Sequence, residues 1–226
     1  MSKFSFATES GGFDNHIEKS IRGYNDLFTD ILKFSSYFIE EDATVVDIGC
    51  STGRLIRQMK DINDEFSPGC SYIGIEYEEV FFEKLENSDG VEFKNMAIQD
   101  FDWETETTNC CLVTSLFTLQ FLPKRNRIDV VRRIHDSLVQ GGAFIFSEKI
   151  LSNSAEVEKM LTFCHYDWKL KNFTPDQILD KERTLRNIMK PGYYVDLVDM
   201  LTDSGFKIIQ PFWQYFSFVG IIAVRS

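Results

Sequence analysis

Val46-Asp47-Ile48-Gly49-Cys50-Ser51-Thr52-Gly53-Arg54 closes a short β-branched run, Thr44 to Gly49, and opens a helical one from about Gly53 to Lys60. A strand that passes through two glycines into a helix is the opening unit of an α/β sheet. Gly49 and Gly53 permit a tight turn and let a ligand approach bare backbone. The helix beginning there offers free N–H groups to a polar or anionic ligand. The pattern also excludes. A dinucleotide fingerprint has glycine where Asp47 stands, and an acidic side chain there disfavours a pyrophosphate. No Gly-Lys-Ser/Thr follows, so the loop is not of the Walker type.

Outward from this turn, strand-like and helix-like runs alternate. Upstream, Asp14 to Glu40 is helical with a break near Gly23. Downstream come a strand at Tyr72 to Glu76, a helix at Glu78 to Glu86, and strands at Val91 to Asn95 and Cys110 to Ser115. A helix from Arg127 to Val139 and a strand from Ala143 to Lys149 complete the alternation. Two consecutive helices follow, Ala155 to Lys171 and Pro175 to Met189, then a helix at Tyr193 to Ser204. The last pair of strands, Phe206 to Phe212 and Tyr215 to Arg225, is antiparallel because its turn is short. The expected fold is therefore α/β and Rossmann-like: a mostly parallel seven-stranded sheet with an antiparallel last strand and a helical cap insertion. Residues 1–226 read as a single domain, with 1–40 as an N-terminal helical segment and 151–192 as the cap.

At 226 residues one core suffices, and 21 Phe against 8 Tyr and 3 Trp predict an aromatic-rich one. Lys and Arg number 24 against 35 Asp and Glu, a net charge of -11, so direct nucleic-acid binding is not expected. Lys124, Arg125, Arg127, Arg132 and Arg133 cluster, and a solvated helix face is the expected use of them. Met1 to Gly12 has no apolar segment of the secretory kind, and Phe216 to Val224 is too short to span a bilayer. A cytoplasmic protein without membrane attachment is the expectation. Five cysteines at irregular spacing read as reduced thiols. Cys110 and Cys111 face opposite sides of a strand, and neither CxxC nor HExxH occurs, so no metal site is expected.

Asp47-x-Gly49-x-x-x-Gly53 resembles motif I of class I S-adenosylmethionine (SAM) methyltransferases, in which the acidic residue orients the amino-acid end of SAM. Glu76 ends the next strand, where an acidic side chain can accept both hydroxyls of a ribose. Ala97 and Ile98, after the third strand, occupy the adenine-contact position. Cys50 lies in the same loop, but no base is evident beside it and it is not read as a nucleophile. His165 reads first as a polar residue of the cap helix and second as a proton shuttle.

Larger blocks are similar to the carboxy-SAM synthase family. They are Ser20-Ile-Arg-Gly-Tyr24, Asp47-Ile-Gly-Cys-Ser51, Phe117-Thr-Leu-Gln-Phe-Leu122 and Gly141-Gly-Ala-Phe-Ile-Phe-Ser-Glu-Lys149, followed by His165-Tyr-Asp-Trp-Lys169, Lys181-Glu-Arg-Thr-Leu-Arg-Asn-Ile-Met189 and Trp213-Gln-Tyr-Phe-Ser-Phe218. The resemblance runs from near residue 13 to the C-terminus. It implies a homodimer that converts SAM and prephenate into carboxy-SAM and phenylpyruvate. Carboxy-SAM then serves a separate enzyme acting on the wobble uridine of tRNA. It also implies that SAM loses a methyl proton and captures the carbon dioxide given up by prephenate. By the same resemblance Tyr24, Gly49, Cys50 and Ser51 line the SAM site, Glu76 and Tyr77 hold ribose and flank adenine, and Ala97 and Ile98 form the adenine loop; Asp47 and Gly53 of motif I and Leu116 are expected in the same cofactor site.

Two positions depart from the family. Leu116 replaces an Asn, and Glu182 stands where the family has an Arg that clamps the extra carboxylate of carboxy-SAM, with Arg183 one residue later. One residue turns a helical side chain by about 100°. Arg183 is the expected carboxylate partner if the helix shifts to present it. These departures favour an ordinary SAM-dependent methyltransferase as the alternative, and a non-catalytic SAM-binding homologue is the third reading.

Overall fold

The computed structural model describes residues 12–226; the reading of Met1 to Gly12 as free of a signal falls, for 1–11, outside the described residues. Helices α1 (Phe13–Ser20) and α2 (Tyr24–Ser35) are divided at Gly23, whose φ of 75° starts α2. The first βα unit is β1 (Thr44–Ile48) and α3 (Arg54–Asn63); β2 (Ser71–Glu76), α4 (Glu79–Phe82) and β3 (Val91–Asn95) follow. Next come α5 (Trp103–Glu106), β4 (Cys110–Leu116), α6 (Lys124–Ser137) and β5 (Leu138–Leu151). The cap helices are α7 (Ala155–Lys169) and α8 (Pro175–Ile188), and the chain ends with β6 (Gly192–Tyr193), α9 (Tyr194–Asp203), β7 (Ile208–Tyr215) and β8 (Phe218–Val224).

The strands lie in the order β3-β2-β1-β4-β5-β8-β7, with two-residue β6 paired to the end of β5. Strands β1 to β5 are parallel neighbours, and β8 runs antiparallel to both β5 and β7. The expected fold class is what the chain adopts, with β6 as an eighth strand. The chain winds outward from β1 to β3, then returns to start β4 on the other side of β1. That reversal leaves a crevice beyond the carboxyl ends of β1 and β4, where open α/β sheets take their ligands.

Two apolar layers cover the sheet. Leu27, Phe28, Ile31 and Leu32 of α2 and Leu55, Ile56 and Met59 of α3 recur at helical spacing and bury against one face. Val130, Val131 and Ile134 of α6 join Leu197 and Leu201 of α9 and Phe206 on the other. Phe144 and Phe146 stack on that face with ring centroids 4.7 Å apart, as the Phe-rich composition predicts.

Element edges differ from expectation where tertiary pairing overrides local pattern. Helix α6 stops at Ser137, because Leu138 already pairs with Cys110 in the ladder between β4 and β5. The helix expected over Glu78 to Glu86 shrinks to four residues; its glutamates at 78, 79, 83 and 86 crowd like charges along one short stretch. The last hairpin turns at Phe216-Ser217, between Tyr215 and Phe218, later than expected. Phe216 has a φ of 49°, a conformation uncommon outside glycine. Its ring stands 5.4 Å from the Arg22 guanidinium and 6.2 Å from the His165 ring.

Candidate active site

A cavity of about 740 Å³ fills the crevice. Its sheet-side wall is the turn after β1. Gly49 and Cys50 both donate their backbone N–H to the Ile75 carbonyl, at 2.8 and 3.1 Å, which folds the turn onto β2. Gly49 has a φ of 70°, and a Cβ there would collide with the Thr118 side chain. Glycine is therefore needed for the turns after β1 and β4 to meet. Ser51 sits at a φ of 47° and donates its N–H to Glu76 Oε2 at 2.8 Å. Glu78 donates its N–H to Glu76 Oε1 at 2.7 Å. Both oxygens of this buried carboxylate are thus fixed by backbone. Burial pushes the Glu76 carboxyl up from its ordinary value, and the N–H donors oppose the rise.

Asp47 is also buried and accepts a hydrogen bond from Thr114 Oγ1 at 2.7 Å. Burial raises its pKa to about 7, against the Thr114 hydrogen bond and with help from Glu76. Two carboxyl groups near the carboxyl ends of the neighbouring strands β1 and β2 suit a ligand bearing an ammonium group and hydroxyls. The Cys50 thiol is pushed well above its usual value by burial, then by Asp47 and Glu76. It is held protonated.

Helix α1 forms a second wall. Thr52 Oγ1 donates to Asp14 Oδ1 at 3.0 Å, and Arg54 pairs with Glu18 at 2.7 Å while lying over the Phe28 ring. These contacts tie α1 to the turn after β1. Tyr24 faces the same space. Burial, then the Asp14 charge, raises its phenol so that it stays protonated.

The cap closes the remaining side with Lys149 from the end of β5, His165 and Lys169 from α7, and Lys181, Glu182 and Leu185 from α8. His165 is driven down to about 4 by burial and then by the Lys169 ammonium. The neutral ring donates from Nε2 to the Ser20 carbonyl at 2.8 Å. This fixes the tautomer and ties α7 to the end of α1. Lys169 is 6 % exposed, and burial lowers it to about 8 against the pull of Glu182, whose carboxylate lies 3.8 Å away.

Tyr24, Asp47, Gly49, Cys50, Ser51, Glu76, Tyr77, Ala97, Ile98 and Leu116 all line this one cavity. Ala97 and Ile98 stand at a 3₁₀ turn, Ile98–Asp100, and Tyr77 is largely exposed at the rim. Two expected residues stand elsewhere. Gly53 is not a wall residue: its φ of 71° starts α3, and a Cβ there would meet the Phe93 ring at 2.7 Å. It serves packing beneath the turn. Arg183 also lies off the cavity, its side chain 60 % exposed and paired with Asp180 at 3.1 Å. The helical step that separates it from Glu182 carries it to the outer face of α8.

Sequence reasoning missed Lys149, Lys169 and Gln120. Gln120 Oε1 accepts the Lys149 N–H at 3.0 Å, and its amide donates to the Phe117 carbonyl at 3.1 Å, which braces the turn after β4. The basic cluster is only partly solvated. Arg127 is buried and donates to the carbonyls of Leu122 (3.1 Å), Gln120 (3.0 Å) and Lys190 (2.6 Å), and Arg133 donates to those of Gln99 and Phe101. Both bind the loops around the cavity to α6. Among the described residues no three or more His, Cys, Asp or Glu side chains gather as metal ligands, and no helix is long and apolar enough to cross a membrane.

Strand order, a glycine turn after β1 and acidic ends on β1 and β2 together define a class I SAM-dependent transferase. A family model described as a methyltransferase domain matches residues 45–142. The SAM complex of human N-acetylserotonin methyltransferase superposes with a TM-score of 0.59 at 13% identity over 90% of this chain, which spans about half (52%) of that protein. Carboxy-S-adenosyl-L-methionine synthase of Staphylococcus epidermidis is 31% identical, with 94% of this chain and 92% of the relative covered. The synthase of the same name from Shewanella oneidensis is 28% identical, with 100% and 94% covered. The chain belongs to the carboxy-SAM synthase family.

Proposed function

We propose that this protein converts SAM and prephenate into carboxy-SAM and phenylpyruvate, supplying carboxy-SAM for modification of the wobble uridine of tRNA by a separate enzyme. The observation that carries the reading is similarity to carboxy-SAM synthases over nearly the whole chain, cap included. Asp47 and Tyr24 take the amino-acid end of SAM, Glu76 and Tyr77 the ribose and the edge of adenine, and Ala97 and Ile98 the adenine face. Gly49, Cys50, Ser51 and Leu116 complete the wall. In this reaction prephenate loses its ring carboxylate as carbon dioxide and its ring hydroxyl as hydroxide, the SAM methyl group gives up a proton that leaves with the hydroxide as water, and the methyl carbon bonds the carbon dioxide. Closure by α1, α7 and α8 supports the chemistry because water would compete at that carbon. The protein acts as a cytoplasmic homodimer in this reading.

The test is mass spectrometry of small molecules released on denaturing freshly purified protein, followed by prephenate turnover. Carboxy-SAM in the extract and phenylpyruvate formation with SAM support the proposal. SAM or S-adenosylhomocysteine alone, without turnover of prephenate, reverses it. A second reading, an ordinary methyltransferase, is favoured by Glu182 on the cavity wall and Arg183 off it. A carboxylate facing the extra carboxylate of carboxy-SAM repels it.

A further inference from the structure

We propose that the cap end of the cavity is an anion subsite in which Lys169 receives the carboxylate of the second substrate, an organic acid with an apolar body, by displacing Glu182. This rests on the synthase reading for the identity of the reaction, but its argument is the distribution of charge. Lys149 and Lys169 reach this end from two separate elements, β5 and α7, and Lys169 meets Glu182 of α8 there. His165, neutral and donating to Ser20, adds no charge. In a chain of net charge -11, two ammonium groups brought from separate elements to one end of a cavity are a built feature. The opposite end holds the carboxyl groups of Asp47 and Glu76. The cavity is thus polarised along its length and suits a cationic ligand at one end and an anionic one at the other.

Lys169 is the centre of the subsite because it is the buried member. At 3.8 Å its contact with Glu182 is an ion pair too long for a hydrogen bond. An ammonium has three protons to share, and the partner carboxylate keeps 27% of its side-chain surface in solvent. Glu182 can turn outward while a ligand carboxylate takes its place. A carboxylate on an apolar body is favoured by the surroundings. The cap end offers point charges beside the apolar Phe121, Leu185 and Phe218, and the Lys149 N–H is already given to Gln120.

The experiment is calorimetric titration of phenylpyruvate into protein saturated with S-adenosylhomocysteine, for the unaltered chain and for Lys169→Met, Lys169→Arg and Glu182→Gln. Lys169→Met is expected to weaken phenylpyruvate by about tenfold or more and S-adenosylhomocysteine by less than about twofold. Lys169→Arg should restore most of the affinity, and Glu182→Gln should tighten phenylpyruvate by roughly threefold because the competing carboxylate is gone. The subsite is overturned if the unaltered chain does not bind phenylpyruvate, if Lys169→Met leaves that affinity unchanged, or if it weakens both ligands alike. Should Lys169→Met fail to fold, Glu182→Gln decides: no tightening overturns the subsite. Lys169-dependent binding without prephenate turnover would sink the synthase reading and leave the subsite standing. Turnover with Lys169-independent binding would sink only the subsite.

Discussion

The sheet-side and cap-side walls of the cavity hold their charges by different means. On the sheet side, each oxygen of Glu76 has a backbone N–H and Asp47 has the buried Thr114 hydroxyl, so the carboxyl groups are set by the fold itself. On the cap side, Lys169 meets Glu182 through two side chains on two helices, at a separation no hydrogen bond spans. The first arrangement is preorganised and admits one ligand geometry. The second can rearrange for a modest cost, and single substitutions on a helix face retune it. A part of the ligand common to all relatives is best served by the first wall, and a part that differs between activities by the second.

That contrast can be broken from the sheet side first. Gly49→Ala puts a Cβ into Thr118 at a φ that side chains avoid, and it should weaken S-adenosylhomocysteine by about a hundredfold in calorimetry. An effect below about threefold would show that the turn yields as readily as the cap. Glu76→Ala removes the acceptor for two backbone donors and, in the proposed site, the acceptor for the ribose. A loss of about 1–3 kcal/mol in SAM affinity is expected by the same method, and unchanged affinity would remove Glu76 from the site.

A smaller effect is expected from Glu148, which is buried behind the turn after β4, beside Arg127. Burial raises its carboxyl from an ordinary 4.5 to about 8, opposed by Arg127 and by the Leu119 and Gln120 N–H groups. The native state holds this proton longer than the unfolded one, so its contribution to stability is complete below about pH 4.5 and fades as pH rises through about 8. Glu148→Gln should flatten the fall of Tm between pH 5 and pH 8.5, roughly the window between those values. A parallel fall in both proteins would show that the proton is not held there. The smallest effect belongs to Arg183→Ala. An exposed pair with Asp180 should cost about 0–1 kcal/mol of stability, with SAM and carboxy-SAM affinities unchanged within about twofold. Selective loss of carboxy-SAM would restore Arg183 to the site and require α8 to turn.

The sheet-side wall was legible in the sequence because its geometry is local. Asp47, Gly49, Ser51 and Glu76 are placed by strand ends and one turn, and strand-to-helix patterning locates both. Gly53 shows the limit of such reasoning. A glycine at positive φ has the same appearance in sequence whether a ligand or the Phe93 ring comes close to it. The cap was less legible because function there depends on helix phase relative to a distant sheet. Nothing in the linear order of Glu182 and Arg183 says which of them faces inward. Arg127 was misread for a related reason: its partners, the carbonyls of Gln120, Leu122 and Lys190, come from loops whose approach only the folded chain brings about.

The tie between α1 and the turn after β1 has a consequence for timing. Phe13, Asp14 and Ile17 form part of the wall around any occupant, and α1 is joined to the turn by the Asp14 contact with Thr52 and the Glu18 pair with Arg54. Departure of a bound nucleoside is then coupled to parting of these polar contacts, one an ion pair that ionic strength weakens. Dissociation should quicken with salt while equilibrium affinity shifts less, so that the helix sets how long the occupant stays.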